Sequence, residues 1–188
     1  MRPTFSNLVA AKGGQLTVNL PLASGAGAGL AMRRSAIRLG GAGKALTLDT
    51  GPSDGPGMWV HYLPTRASYG VSEGGENWGA SGPFSGCQII VGKRDGRIYL
   101  AHIAQESGSG ANAEWSGRGW RDEVWGRWKV GAPSKTFNSN SIVFVDWSKG
   151  SNPDTISVVR VDLKTASMGG FDKAPMEIFD VQAVVKSE

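Results

Sequence analysis

Cys87 is the only cysteine in the 188-residue chain, and His102 is one of its two histidines. They lie on either side of the turn-like KRDG in the run FSGCQIIVGKRDGRIYLAHI. A free thiol with a pKa of about 8.5 is mostly protonated at neutral pH, but an adjacent imidazole can take its proton and leave a thiolate–imidazolium pair. The chemistry on offer is nucleophilic attack on a carbonyl-type carbon. Gly86, just before the cysteine, lets a substrate carbonyl approach the backbone, where N–H groups can hold an oxyanion. The competing reading is a cysteine buried as a small hydrophobe beside a structural histidine, and these residue types alone leave both open.

The two side chains can cooperate only if one hairpin presents them on one face, so register decides the matter. If Asp95 and Gly96 form a two-residue turn, Arg94 opposes Arg97 and His102 opposes Ile89. Cys87 is then the diagonal neighbour of His102, about 7 Å away between Cβ atoms. If KRDG is a four-residue loop, His102 faces Cys87 directly. A three-residue loop would put them on opposite faces, because a one-residue slip reverses every side chain. The Asp-Gly dipeptide favours the two-residue turn.

Around this hairpin the period of the apolar residues is mostly two. QLTVNL, LAMRRSAIRL, ALTLD, MWVHYL, SIVFVDW, TISVVRVDL and MEIFDVQAVV read as strands between Gly, Pro, Ser and Asp clusters. TFSNLVAAK reads as a short helix, with Phe5, Leu8 and Val9 at i, i+3, i+4 and Gly13 and Gly14 beyond it. In AEWSGRGWRDEVWGRW the spacing of Trp120, Val124 and Trp128, with Trp125 on the same broad face, predicts a second, amphipathic helix of about three turns. Residues 70–86, GVSEGGENWGASGPFSG, lack periodicity and read as a long glycine-rich loop leading into Cys87. The expected fold is α+β: a β-sandwich of mixed sheets with flanking helices and long loops, in a single domain spanning 1–188.

With 40% hydrophobic and 19% charged residues the chain has globular composition. Its net charge of +4 favours approach to an acidic partner without specifying one, and a solvated basic surface is the plainer reading than a nucleic-acid site. The opening MRPTFSNLVAAKGG has no apolar run of signal-peptide length, and no segment reaches the roughly 18 apolar residues of a membrane span. Two histidines and one cysteine give no zinc-ligand spacing. LGGAGKAL fails as a phosphate loop, having Arg38 five residues before Gly43 and Ala45 where Ser or Thr is needed, and GAGAG at 25–29 reads as a loop. SGPFSG does not supply the G-x-S-x-G of a serine hydrolase. His61, in MWVHYL, reads as a satisfied core or surface histidine.

FSGC followed by a strand, a turn and AHI resembles the cysteine–histidine signature of the bacterial glutamine-deamidating toxins, the group that includes cytotoxic necrotizing factor and Burkholderia lethal factor. A chemotaxis deamidase has a similar hairpin. The similarity extends to LTLDTG, GMWVHYLP and the tryptophan-rich EWSGRGWRDEVWGRWKVG, covering roughly residues 28–131. It implies a cysteine-dependent hydrolase that converts a glutamine of a host protein to glutamate through a thioester, with Cys87 as nucleophile and His102 as base. Members place a threonine six residues before the cysteine to orient the histidine. Ser81 stands there in this chain, so that third role is carried over with a changed residue type. The 15-residue separation of Cys87 and His102 matches cytotoxic necrotizing factor better than lethal factor, and target identity is not carried over. The resemblance further implies no cofactor or metal and a bacterial protein secreted or injected to act in the host cytosol. We expect a monomer whose partner is the host protein, with neither membrane nor nucleic acid involved. The alternatives are a non-catalytic binding module or a related cysteine transglutaminase or protease.

Overall fold

The structure is a computed structural model, and it describes residues 1–20, 30–52, 56–105, 108–133, 138–165, 171 and 173–184. In chain order these form helix α1 (Phe5–Ala10), then strands β1 (Gln15–Asn19), β2 (Ala31–Met32), β3 (Arg34–Ala42), β4 (Ala45–Thr50) and β5 (Gly57–His61). Next come β6 (Ala67–Val71), β7 (Trp78–Phe84), β8 (Gln88–Arg94), β9 (Arg97–Ile103), helix α2 (Ala111–Ser116) and β10 (Glu123–Lys129). The last three strands are β11 (Ser139–Asp146), β12 (Ser157–Lys164) and β13 (Met176–Ala183). The glycine-rich run at 25–29 lies outside the described residues.

Eight strands close into a barrel in the order β1, β13, β12, β11, β7, β5, β3, β4. Closure comes from β4 lying parallel to β1, with Leu16 beside Leu46 and Val18 beside Leu48. Alternate residues of these strands point inward, so Leu16, Val18, Leu46, Leu48, Trp59, Trp78, Ile142, Phe144 and Val161 fill the interior. A side chain such as Leu48 or Phe144, fully buried there, contributes about 1.5–3 kcal/mol. A second, five-stranded sheet in the order β10, β8, β9, β6, β2 packs on the outer wall of the barrel. That is why MWV in β5 and IVFV in β11 are continuous apolar runs: Trp59, Ile142 and Phe144 point into the barrel, while Met58, Val60, Val143 and Val145 point into the seam. The far face of the sheet is covered by α2, with Ile90, Tyr99, Ala101 and Ile103 against Trp115.

The α+β sandwich expected from the sequence is therefore corrected to a mainly β architecture, a closed eight-stranded mixed barrel plus a five-stranded sheet, with only two short helices among the described residues. The tryptophan-rich helix is not present. Residues 123–129 are strand β10, paired to β8 with Trp128 opposite Ile89. Val124 opposes Gly92 and Gly126 opposes Val91, which leaves Trp125 as an extra, bulged residue. The bulge brings Trp125 to the same seam as Trp128, three positions on, and so reproduces a helical spacing in a strand. Nor are residues 70–86 one long loop, for β6 runs to Val71 and β7 begins at Trp78. The small residues within β7 reflect crowding. A side chain at Gly79 would meet the Met58 carbonyl and Trp147 at 3.1 Å, and one at Gly82 would meet Phe171 at 2.7 Å. The first helix forms as expected, with Thr4 as its N-cap, although only Leu8 of its apolar residues is buried. No helix among the described residues is long and apolar enough to cross a membrane.

Candidate active site

The hairpin that carries the cysteine and histidine has the two-residue turn. Asp95 and Gly96 have φ values of 49° and 79°, the double positive-φ geometry of a type I′ turn. Arg94 pairs with Arg97 and Ile89 with His102. Cys87 directly precedes β8, and its carbonyl accepts a 2.9 Å hydrogen bond from the Val130 N–H, which extends the pairing of β10 with β8 past the strand ends. Its side chain packs with Ile89 in the seam, so Cys87 and His102 share the face turned toward the barrel.

The barrel wall supplies what His102 touches. Ser81, on β7, places Oγ 2.9 Å from His102 Nδ1 and donates its own proton to the Val60 carbonyl at 2.7 Å. A hydroxyl has one proton, and with that proton committed to Val60, Ser81 can only accept from the imidazole. Nδ1 therefore carries the ring proton of the neutral imidazole and Nε2 is the bare nitrogen. Nε2 is buried and has no hydrogen-bond partner among the described residues, Cys87 included. Phe84 stacks flat on the imidazole and the Tyr62 ring leans against it at 46°, with centroids 5.1 Å apart.

Burial governs the charge state. His102 is 1% exposed, and desolvation pushes its pKa down to about 3. Cys87 is 6% exposed, and desolvation raises its thiol above the ordinary value, opposed only in part by backbone hydrogen bonds to the sulfur from Gln105 and Ser85. Both shifts favour a neutral thiol beside a neutral imidazole over the ion pair expected from residue types alone. A thiol above and an imidazole below their ordinary values set the resting pair against proton transfer, so general-base attack, in which the thiol gives up its proton as the sulfur forms its new bond, requires bound substrate to stabilise the charge that develops.

Gly86 immediately precedes Cys87 in the chain. Its φ of 144° is strained for any residue with a side chain, and an added Cβ would meet nothing within 4 Å, so open space lies beside it. The other histidine, His61, is buried in β5 with Nε2 2.8 Å from Ser35 Oγ. Among the described residues no three His, Cys, Asp or Glu side chains gather as a metal site would need. Sequence reasoning named Cys87, Gly86, His102 and Ser81; the structure hydrogen-bonds Ser81 to His102 and sets Cys87, with Gly86 just before it, on the hairpin face that carries His102. It missed Phe84, Tyr62 and the Val60 carbonyl. Phe84 stands in the FSGC run itself, but no spacing rule for strands would have turned it toward His102. Comparison with protein-family models and with curated proteins gives no match.

Proposed function

We propose that this chain is a cysteine-dependent protein glutamine deamidase, a bacterial toxin or effector acting on a glutamine of a host protein. One observation carries the reading: His102 is held by Ser81 as the Nδ1–H tautomer, with its basic Nε2 buried and unpartnered on the hairpin face that carries Cys87. A buried nitrogen without a partner costs free energy and is uncommon in native proteins. A base awaiting a proton accounts for it.

In the reaction, the carboxamide enters beside Gly86. The Cys87 proton passes to Nε2 as sulfur bonds to the amide carbon, and backbone N–H groups at Gly86 and Cys87 stabilise the oxyanion. The intermediate collapses with cleavage of the C–N bond, Nε2–H giving its proton to departing ammonia. Water then attacks the thioester while Nε2 takes one of its protons. Cleavage of the C–S bond returns that proton to sulfur and releases glutamate. No cofactor takes part. Thiol and imidazole are not hydrogen-bonded at rest, and catalytic contacts of this kind often tighten only when substrate is bound.

The burial of Cys87 favours a second reading, a non-catalytic binding module in which the thiol is packing alone. Intact-mass analysis of host proteins after incubation separates the two. The deamidase produces a gain of about one mass unit on a particular protein, together with ammonia, and Cys87→Ser abolishes both. Absence of any such gain across a host lysate would leave the binding module. Transfer of an added amine in place of water would instead mark a transglutaminase.

A further inference from the structure

Beyond Ser81, β7 does not continue as a regular strand. Against β11 it pairs Ser81 with Val143 and then Phe84 with Ser141, so three steps along β7 match two along its partner. One extra residue is taken up at Gly82 and Pro83. In an uninterrupted strand, residues three apart point to opposite faces. A bulge cancels that reversal and re-aims the side chain after it. Ser81 thus meets the Nδ1 edge of His102 at 2.9 Å, and the fully buried Phe84 ring lies on the imidazole face, with centroids 4.1 Å apart and planes 5° from parallel.

We infer that Phe84 is a positioning residue for His102, fixing the imidazole plane so that the nitrogen left bare by Ser81 keeps one direction on the Cys87 side of the hairpin. The hydrogen bond to Ser81 anchors one ring atom but leaves the tilt about χ2 free, and that torsion is intrinsically broad. A parallel ring at van der Waals distance removes the tilt. Phe84 also serves the charged state. Cysteine and serine hydrolases commonly hold the imidazolium with a carboxylate or amide, whereas among the described residues His102 meets the Ser81 hydroxyl and the Phe84 and Tyr62 rings. An aromatic face attracts a cation, and so offsets part of the cost of protonating a buried ring. The catalytic meaning of the clamp rests on the deamidase reading; the clamp itself belongs to the resting site and is measured without substrate.

The chain has only two histidines, so ¹⁵N-histidine labelling gives two imidazoles, and His102→Gln assigns them. Wild-type protein near neutral pH is expected to show a single Nδ1–H signature for His102. In Phe84→Leu and in the more nearly volume-conserving Phe84→Met, the far-UV spectrum and the Nδ1–H signature set by Ser81 are expected to be retained, while the His102 ring resonances broaden as the imidazole samples more than one tilt. Deamidation kcat is expected to fall about tenfold or more with KM little changed. A folded Phe84→Met protein that keeps sharp His102 ring resonances and the full rate would overturn the inference and leave Phe84 as packing, as would a wild-type His102 ring that already samples several tilts. A wild-type protein that shows the clamp but deamidates nothing would count against the deamidase reading and not against the clamp.

Discussion

The Ser81 hydroxyl accepts from Nδ1 of His102 at 2.9 Å while donating to the Val60 carbonyl at 2.7 Å, so a group from the barrel wall sets the tautomer of a ring from the neighbouring sheet. Ser81→Ala removes the acceptor for a buried N–H and the donor for a buried carbonyl. A stability loss of about 1–3 kcal/mol is expected from the groups left unpaired, with a larger proportional loss in kcat than in KM. Ser81→Thr keeps the hydroxyl and is expected to retain most of the activity. Thermal melts and steady-state ammonia release measure the two effects, and equal activity in the Ala and Thr variants would remove Ser81 from the machinery.

Alkylation of Cys87 by iodoacetamide is expected to rise only above the pH at which an ordinary thiol ionises. Burial raises the thiol pKa, and the N–H bonds from Gln105 and Ser85 do not cancel it. Because thiolate is the reacting species, the rate should be low at neutral pH and still climbing well into the alkaline range. A plateau reached below about pH 8 would mean that the ion pair is the resting state, contrary to the neutral pair inferred from burial.

His102 should make the protein acid-sensitive. Above about pH 6.5 the ring is neutral in folded and unfolded chains alike and adds no pH dependence. As the pH falls below that value the unfolded chain binds a proton that the folded ring, with its pKa near 3, does not. Folding stability is therefore lost on acidification, at about 1.4 kcal/mol per pH unit at most between pH 6.5 and 3 from this residue alone. Urea unfolding across that window should show a steeper acid limb for wild type than for His102→Gln. Parallel limbs would mean that His102 is hydrated in solution.

Gly86→Ala places a side chain at a φ of 144° and in open space, on the residue next to Cys87. Backbone strain of about 1–3 kcal/mol is expected, with no clash to add to it. The activity loss should exceed what the lowered melting temperature explains and should fall mainly on KM, since the added methyl stands where the carboxamide enters. A Gly86→Ala enzyme with unchanged KM would show that substrate arrives from another side.

The hairpin was legible in the sequence because its rule is local: Asp95-Gly96 is turn chemistry, and parity then carries the register from Arg94 and Arg97 to Ile89 and His102. The helix read at Trp120–Trp128 and the loop read at 70–86 share a different cause. Each segment contains a bulged strand, and one extra residue turns a three-residue spacing into a same-face pair, Trp125 with Trp128 in β10 and Ser81 with Phe84 in β7. Spacing alone does not separate that pattern from a helix. Barrel closure was equally hidden, because the pairing of Leu16 with Leu46 depends on a parallel contact that no turn announces. The protonation of the site could not be read from residue types either, since two neighbouring titratable groups suggest an ion pair until both are known to be desolvated.

Among the described residues the barrel joins the first strand to the last, with β1 held between β4 on one side and β13 on the other. On the ribosome, β1 can find β4 after some thirty residues, but its other edge has no partner until Met176–Ala183 has been synthesised. Non-local pairings of this kind are slow to form. The contacts that fix the imidazole do not wait for that closure: Val60 and Ser81 sit on the directly paired β5 and β7, and His102 on β9, so all three are synthesised and can meet while the barrel is still open along β1.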